Sequence, residues 1–355
     1  TNALLEGDVA QVGIIGMGTG MDVRTAKKET AVEQIELAPN KFLTAKHTFI
    51  DSAKLNNEEI EKAIHQFVAE DCQVIVASEA YSVDDPENEL QVIQKAQEQK
   101  LYATGGHEIS QLYGLKMRTR TAVVNASLIP KMMQTADMTE TAVLNTKIQS
   151  GLMIMRCDGG VMSINEVRQR PILTMLSGLA AGVAGALMYE KVSDGIFFEV
   201  GGTSVDISVI KNGKVMIKYA QVGGHKTYLR SLDVRTLAVA GGSMIRAKDG
   251  RIIDVGPRSA HIAGLEYECF TEPENLQEPT IAFVSPKTGD PNEYLIIRGN
   301  TGKEYSYTLA GAANFLGYVP QDDYAQGNQE SNRIAWEVLG EYLGSSAEAA
   351  AKAVV

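Results

Sequence analysis

A chain of 355 residues is long enough for two domains of ordinary size, each with its own core. Its composition, 44% hydrophobic and 22% charged, is typical of a folded protein and excludes a disordered chain. The formal net charge of −11, with no basic cluster to offset it, argues against a nucleic-acid partner.

The first part of the chain alternates strand and helix patterns. The predicted elements are, in chain order, a strand at Val9–Met17, a helix at Asn57–Ala69, a strand at Val74–Ala77, a helix at Pro86–Gln99, a strand at Leu101–Thr104 and a helix at Arg118–Met133 that Pro130 interrupts. This order predicts a mostly parallel sheet with helices on its faces. The Gly16–Gly20 run has G-x-G-x-G spacing and no clear helix behind it, so we interpret it as a plain loop and not as a dinucleotide fingerprint.

Pro171–Met188 carries no charge and is long enough to raise the question of a membrane span. The segment is rich in small residues and breaks at Ser177-Gly178, which predicts a short strand followed by a helix of Ala and Gly. The N-terminus of that helix would present free N–H groups near Gly178. We therefore expect no membrane association.

The stretch Phe197–Lys214 predicts a β-hairpin whose tip is Gly201, Gly202, Thr203 and Ser204. Glycines let backbone N–H groups approach an anion closely, and the two hydroxyl residues add donors. Two acidic residues flank this tip. Glu199 is a candidate magnesium ligand and water-orienting residue, and Asp206 is a second candidate for catalysis. An ordinary hairpin with a glycine-rich tip is the alternative.

Two further glycine-rich elements follow apolar runs. One is Gly241, Gly242 and Ser243, and the other is Asp158, Gly159 and Gly160, which follows the apolar strand Leu152–Met155. Each alone is typical of a tight turn. Their serial order with the hairpin favours one ligand held by several backbone loops.

The last part of the chain is less regular. Thr271–Asn300 is rich in Pro, Glu, Asn and Gly, which predicts loop with short strands such as Tyr294–Ile297, and we expect an insertion near residues 271–308. Asn332–Leu343 predicts a helix, and Ser346–Val355 an Ala-rich helix end or frayed tail.

The motifs, in this order, resemble the hydantoinase/oxoprolinase A family. The resemblance is carried by Ile154–Ser163, Arg170-Pro171, Leu176–Ala186, Glu199–Asp206, Asp233–Thr236, Ala240–Ser243 and Val255–Ala260. The N-terminal part agrees through Thr1–Glu6, Asp85–Glu89, His107–Ser110 and Val124–Pro130, and Leu309–Tyr318 agrees more loosely. So many motifs in one order make a specific match.

The resemblance implies an α/β fold of the actin-like ATPase type found in acetate kinase, sugar kinases and heat-shock proteins, with two α/β domains flanking a nucleotide cleft. Residues 1–150 would form the first domain and residues 151–355 the nucleotide-binding domain. ATP and Mg²⁺ are the implied cofactors. The cofactor-binding candidates comprise the second phosphate loop, the adenosine-side motif and two earlier turns: Gly201, Gly202, Thr203 and Ser204; Gly241, Gly242 and Ser243; Asp158, Gly159 and Gly160; Ser177 and Gly178.

The family includes 5-oxoprolinases, N-methylhydantoinases and the nucleotide-binding subunits of acetone and acetophenone carboxylases. The resemblance therefore implies an enzyme, an ATP-dependent hydrolase subunit that acts on cyclic amides of the hydantoin, 5-oxoproline or lactam type by phosphoryl activation, with a hydantoinase B-type partner subunit. The alternatives are the nucleotide-binding subunit of a ketone carboxylase and a non-catalytic actin-like nucleotide-binding module. Homo-oligomerisation is left open.

The sequence departs from the family pattern at several positions. Glu199 stands where the family usually has Asp, Arg235 where it has His, and Leu179 where it has Pro, and His261–Tyr267 replaces a Pro-Gly-Pro stretch. The first phosphate loop of the family would lie upstream of Thr1. We therefore expect a fragment or short member, incomplete at both ends.

Other candidate groups have simpler interpretations. His107 and Glu108 are adjacent, and neighbours on a strand point to opposite faces, so a structural His is favoured over an acid/base pair. His225 follows the hairpin and is a weaker candidate for facing a substrate. Cys157 predicts a buried thiol and Trp336 a packing anchor. The three cysteines, Cys72, Cys157 and Cys269, lack metal-type spacing, and the start of the chain has no signal-peptide pattern, which favours a cytoplasmic location.

Overall fold

The computed structural model describes residues 3–4, 7–32, 34–38, 41–148, 150–191, 193–202, 204–222, 224–320 and 323–355. The chain divides into two compact units: unit 1 comprises Thr1–Gly195 and Val209–Asp233, and unit 2 comprises Ile196–Ser208 and Val234–Val355. The division expected at residue 150 stays a prediction. Within the described ranges, no helix combines the length and the apolar character needed to cross a bilayer.

Unit 1 begins as an alternation of strands and helices. Its strands are β1 (Val12–Gly18), β2 (Gln34–Ala38), β3 (Lys41–Asp51), β4 (Val74–Glu79), β5 (Tyr102–Gly105), β6 (Met153–Met155) and β7 (Val161–Ser163). Its helices are α1 (Val23–Thr30), α2 (Asn57–Ala69), α3 (Glu87–Glu98), α4 (Gly106–Ile109), α5 (Leu115–Asn145), α6 (Ile164–Gln169) and α7 (Ser177–Glu190).

The first strands of unit 1 form a mostly parallel sheet, as expected. Among the described strands the order is β2-β3-β1-β4-β5, and β3, β1, β4 and β5 run parallel while β2 is antiparallel to β3. Val12 of β1 is in register with Ala45 on one side and Val74 on the other. Because the four strands are parallel, their carboxyl ends meet at one edge of the sheet.

Both faces of this sheet are covered by helices. On one face, alternate residues of β1 and β4 pack with α5, and on the other face their neighbours pack with α2 and α3. Val12 and Ile14 belong to the first core, and Ile15 and Met17 to the second. Alternate side chains of each strand thus pack into two different cores, which makes this part of unit 1 a three-layer α/β/α arrangement.

Three predictions for unit 1 are wrong. Pro130 does not interrupt α5, which continues to Asn145, and the carbonyl of Ser127, in the turn that Pro130 disturbs, accepts a hydrogen bond from the N–H of Ala10 (2.9 Å). Pro171–Thr174 forms a short 3₁₀ helix where a strand was expected. The Gly16–Gly20 run leads through a 3₁₀ turn directly into α1, so a helix does follow it.

A set of shorter strands joins the two units along the chain. They are β8 (Gly195–Val200), β9 (Val205–Lys211), β10 (Lys214–Val215), β11 (Ile217–Val222), β12 (His225–Leu232) and β13 (Val234–Leu237). The expected hairpin of β8 and β9 is confirmed. Asn212 and Gly213, with φ of 52° and 66°, form the turn into β10, as their sequence indicates.

Unit 2 is built on a second sheet with helices packed against it. Its further strands are β14 (Ser243–Lys248), β15 (Arg251–Ser259), β16 (Glu266–Tyr267), β17 (Thr280–Val284), β18 (Tyr294–Arg298) and β19 (Glu304–Ser306). Its helices are α8 (Ala260–Ala263), α9 (Leu309–Phe315), α10 (Gln329–Leu343) and α11 (Ala347–Lys352). The C-terminal Ala-rich segment is therefore a helix with Ala350 and Ala351 buried, and is not a frayed tail.

The segment 271–308 contributes to the core of unit 2. β18 is buried along most of its length and pairs with β17 on one side and with β19 on the other. Leu295 and Ile297 pack with Trp336 of α10, which is fully buried as expected of a packing anchor. Whether this segment is an insertion relative to the family stays a prediction.

Candidate functional site

The tip of the β8–β9 hairpin is an exposed backbone loop in unit 2. The N–H of Gly201 donates to the carbonyl of Ser204 (2.9 Å), which closes the tip. Gly202 is exposed, and no atom of the described residues lies within 4 Å of the position a Cβ would take there. The backbone at Gly202 is therefore open to a ligand. Thr203, also predicted for this loop, lies outside the described residues.

A second glycine loop lies against the first. Gly242 is buried, and a Cβ on it would stand 2.8 Å from the carbonyl oxygen of Gly202 and 2.1 Å from the hydroxyl of Tyr267. Only glycine permits so close an approach. The structure thus brings together two sequence-predicted elements, Gly201–Gly202 and Gly241–Gly242, into one glycine cluster.

Residues around the cluster hold the second loop in shape. The hydroxyl of Ser243 accepts a hydrogen bond from the N–H of Ala240 (2.9 Å), and Ser243 is buried. The carbonyl of Gly241 accepts one from the N–H of Ala310 at the start of α9 (2.7 Å). The hydroxyl of Ser243 therefore stabilises its own turn, and the carbonyls of Gly241 and Gly242 are held by the N–H groups of Ala310 and Ala260.

Two carboxylates flank the hairpin tip. Continued along the hairpin, the register of the Gly201–Ser204 bond places Glu199 opposite Asp206. Asp206 is half-buried and accepts a hydrogen bond from the hydroxyl of Thr236 on β13, whereas Glu199 is exposed. Like charges directly opposite each other on a sheet are destabilising, and a bound cation would relieve that repulsion. Mg²⁺ is commonly held by one or two carboxylates together with substrate phosphates, which fits this pair.

Arg235, which stands where the family usually has His, does not lie beside these carboxylates. Thr236 pairs with Asp206 and Arg235 with Ile207 across β13 and β9. Because successive residues of a strand point to opposite faces, Arg235 lies on the face away from Asp206. The described residues contain no group of three or more His, Cys, Asp or Glu side chains arranged to hold a metal ion.

The remaining candidates belong to unit 1. Asp158 pairs with Arg156 (2.7 Å) and accepts a hydrogen bond from the N–H of Gly160 (3.1 Å), and Gly159 has a φ of 86°. Ser177 begins α7, and Gly178 is exposed with open space around it. The candidate residues therefore fall into two sets, one in each unit.

The sequence-based interpretation of His107 is only partly right. His107 lies on the short helix α4, not on a strand, and its Nδ1 is 2.6 Å from a carboxylate oxygen of Glu89, not of Glu108. This bond to Glu89 raises the pKa of His107. The sequence holds a signal for Glu89 alone, because this charged residue occupies the apolar stripe of α3 with Val92, Ile93 and Ala96.

Two other candidates are placed plainly. Cys157 is a buried thiol that donates to the carbonyl of Arg230 (3.2 Å), and burial raises its pKa to about 12, so it is not a nucleophile. His225 lies exposed on β12 of unit 1. Tyr267, which sequence reasoning missed, contacts the glycine cluster, and no local sequence pattern marks it.

Comparison with known proteins places this chain among relatives of greater length. It is 25% identical to caprolactamase subunit alpha of Pseudomonas jessenii over 280 residues, which cover 73% of this chain and 40% of that protein. The crystal structure of the ATP-dependent caprolactamase from Pseudomonas jessenii superposes with a TM-score of 0.65 at 23% identity, and nucleotide-free acetone carboxylase with 0.64 at 19%. Each superposition covers 99% of this chain and 50% of the other.

The fold expected from the motifs, an α/β fold of the actin-like ATPase type, is confirmed by these two likenesses. The family model for hydantoinase/oxoprolinase matches residues 118–355, which is most of the chain. That match agrees with the series of motifs found in the sequence, and the chain belongs to the hydantoinase/oxoprolinase family.

Proposed function

We propose that this chain is part of an ATP-dependent hydrolase that opens cyclic amides, and that the glycine cluster of unit 2 binds the phosphates of ATP. The observation that carries the proposal is the contact between Gly202 and Gly242. Two loops that are far apart in sequence meet without side chains between them, and one of them leaves its backbone open. Glycine-rich backbone loops bind anions where several of their N–H groups converge on one point.

Around this cluster, the chain supplies groups suited to a phosphate ligand with its magnesium ion. Gly202 and Ser204 would hold phosphate oxygens through backbone and hydroxyl donors, while the N–H of Gly201 closes the loop by donating to the carbonyl of Ser204. Glu199 and Asp206 would hold Mg²⁺ from the flanking strands. When bound, ATP supplies a phosphoryl group that activates an amide oxygen. The role of these residues is to position the reacting groups and to balance their charge.

The similarity to caprolactamase supports amide opening over ketone carboxylation. That relative matches in sequence over most of this chain, while the likeness to acetone carboxylase, at 19% identity, speaks for the fold alone. The name of the caprolactamase relative, subunit alpha, supports a partner subunit for this protein too, and we propose a hydantoinase B-type partner. The chain spans less than half of that relative, so substrate and partner are proposals for the protein of which it forms part.

The proposal is tested by isothermal titration of MgATP into the chain and into a Gly202→Asp variant. A Cβ at Gly202 meets no described atom, so the substitution should fold. A carboxylate a few ångströms from the phosphates should weaken binding by about fivefold or more, because like charges at ~4 Å repel by about 1 kcal/mol even in water.

Gly151→Asp is the matched control, because Gly151 is also exposed with open space around it, and it lies in unit 1. Its affinity for MgATP should equal that of the unsubstituted chain. If the unsubstituted chain binds neither MgATP nor MgADP, the proposal is wrong. Equal weakening in both variants would trace the effect to net charge and remove the glycine cluster from the argument.

A further inference from the structure

A second region suited to a ligand lies in unit 1, at the carboxyl edge of its parallel sheet. From β1 the chain passes to β3 on one side and then returns to β4 on the other. In open α/β sheets this reversal leaves a crevice beyond the strand ends, and ligands bind there. The residues that follow β1 and β4, from Thr19 and from Ala80 onward, lie at this crevice. None of them belongs to the glycine cluster.

A cavity of about 250 Å³ occupies this position. One wall is the face of α1 that carries Thr25, Ala26 and Glu29, preceded by Asp22 at the N-cap, and the opposite walls bring Tyr81 and Tyr113. The hydroxyl of Tyr81 lies 3.4 Å from a carboxylate oxygen of Asp22. Carboxylates beside tyrosine rings attract an organic cation, through charge and through the ring faces.

An adjoining cavity of about 450 Å³ has the opposite character. It shares Thr25 and Glu29 with the first cavity and adds Arg24, Lys28 and Lys116. In the part of the chain that the structure describes, none of these three cations forms an ion pair. Three unpaired cations side by side favour an anionic group.

The two cavities together form a groove along α1 that is acidic and aromatic at one end and basic at the other. The separation follows from the helix, because Asp22 and Ala26, four residues apart, line only the first cavity, while Arg24 and Lys28, also four residues apart, line only the second. A small molecule with an ammonium group at one end and a carboxylate at the other matches both ends of the groove.

We propose that this groove binds the amino acid that is formed when a cyclic amide is opened. The inference rests on the proposed function. Hydrolysis adds one water molecule across the C–N bond of the ring. The carbonyl carbon gains an oxygen and leaves as a carboxylate, and the nitrogen takes the protons and leaves as an ammonium group. For a lactam that carries no other charged group, the product is therefore a zwitterion, whereas the uncharged substrate lacks both charges that the groove would recognise.

Calorimetric titration with 6-aminohexanoate, the amino acid formed from caprolactam, tests this proposal. Hexanoate and hexylammonium each carry one of the two charges and should bind about three- to tenfold more weakly at low salt, because the groups of the groove are exposed. Asp22→Asn should weaken the amino acid and hexylammonium but not hexanoate. Lys28→Gln should weaken the amino acid and hexanoate but not hexylammonium.

Lys62→Gln, on the exposed side of α2, is the control and should change none of these affinities. Equal binding of the three probes, or an affinity for the amino acid that neither groove variant alters, would overturn the proposal. A titration of MgATP on the same proteins separates the two proposals. If MgATP binds and the amino acid does not, only the groove is wrong, and if MgATP fails to bind, the proposed function falls whatever the groove does.

Discussion

Each unit of this protein buries one glutamate completely, and the two carboxyl groups differ in the hydrogen-bond partners that surround them. In unit 1, Glu89 accepts three hydrogen bonds, from the backbone N–H of Glu79 (2.8 Å), from the backbone N–H of His107 (2.9 Å) and from Nδ1 of His107 (2.6 Å). Both of its oxygens have partners. The imidazole beside it carries the compensating positive charge when protonated.

In unit 2, Glu268 has fewer hydrogen-bond partners. Its Oε2 accepts from the hydroxyl of Thr308 (3.1 Å), but among the described residues its Oε1 has no hydrogen-bond partner. The backbone N–H groups of Glu268 and Thr308 and the indole of Trp336 also act to lower the pKa of Glu268, but the indole N–H makes no hydrogen bond to a described residue. Burial prevails and raises the pKa of Glu268 to about 8.

The contrast indicates what sets the cost of a buried acid, namely the partners provided for its charge. A paired carboxylate supports its surroundings, and removing either partner leaves an uncompensated group in the core. An unpaired buried carboxyl group stays protonated in the folded protein, and the free energy of unfolding therefore decreases as the pH rises. Gly311 lies directly against this buried carboxyl group, because a Cβ at Gly311 would stand 1.6 Å from Oε1 of Glu268.

The largest effect is expected from Glu89→Gln. The amide can accept only through one oxygen and turns an NH₂ group toward donors, so unit 1 should lose about 3 kcal/mol of stability. Hydrogen exchange of α2 and α3, followed in urea, measures the change. Glu87→Gln, exposed in the same first turn of α3, controls for the helix dipole and should cost less than about 1 kcal/mol. Equal effects at the two positions would contradict the comparison.

Glu268→Gln should have the opposite sign. The pKa of Glu268 rises from its ordinary value near 4.5 to about 8 on folding, so the wild-type protein binds the proton more tightly when folded and loses stability as the pH rises between these values. Removing the ionisable group should stabilise unit 2 by about 2 kcal/mol at pH 8 and change little at pH 4.5.

The single tryptophan, Trp336, lies in the core of unit 2, so its fluorescence in urea reports this transition. Glu274→Gln on the surface is the control and should leave the pH profile unchanged. If the stability of the wild-type protein does not change between pH 5 and pH 8, the pKa of Glu268 does not rise on folding, and the comparison is wrong.

His107→Phe should cost less than Glu89→Gln, because the two backbone donors to Glu89 survive. The pKa of His107 is raised by its bond to Glu89, so its contribution is complete below the unfolded pKa near 6.5 and disappears as the pH rises through the folded value. We expect a loss of about 1–2 kcal/mol at pH 6 that shrinks by pH 9. His65→Phe, exposed on α2, is the matched control. A loss that is the same at both pH values would assign His107 a packing role only.

Local features of the fold could be predicted from the sequence. The helix at Asn57–Ala69 was expected at its observed bounds, because an acidic first turn and an apolar stripe mark it. The hairpin and the turn at Asn212-Gly213 carry equally local signals. β18, at Tyr294–Arg298, matches the short strand expected at Tyr294–Ile297, within a segment that was otherwise expected to be mostly loop.

The candidate site could be predicted only in parts. The glycine motifs are visible in sequence, but the contact of Gly202 with Gly242 depends on the pairing of β9 with β13, which is set by the whole sheet. Glu89 was detectable as a charge on an apolar stripe. Its partner His107 was not, because it arrives from the end of a different strand.

The smallest effects come from two helix caps, one in each unit, and they test whether the units can be compared as separate bodies. The side chain of Asn56 accepts from the N–H of Glu59 (3.0 Å) at the start of α2, and that of Asn328 accepts from the N–H of Ser331 (3.1 Å) at the start of α10. Each Asn→Ala variant should cost about 1 kcal/mol and lower the midpoint of its own unit by about 2–4 °C.

Asn328→Ala should move the tryptophan transition and leave hydrogen exchange in α2 unchanged, and Asn56→Ala should do the reverse. If both variants shift one common transition, the units unfold together, and the pH windows of Glu268 and His107 then add in a single curve. Because each group loses its contribution as the pH rises, that curve would fall in two steps, first from about pH 4.5 and then more steeply above about 6.5, where both groups titrate.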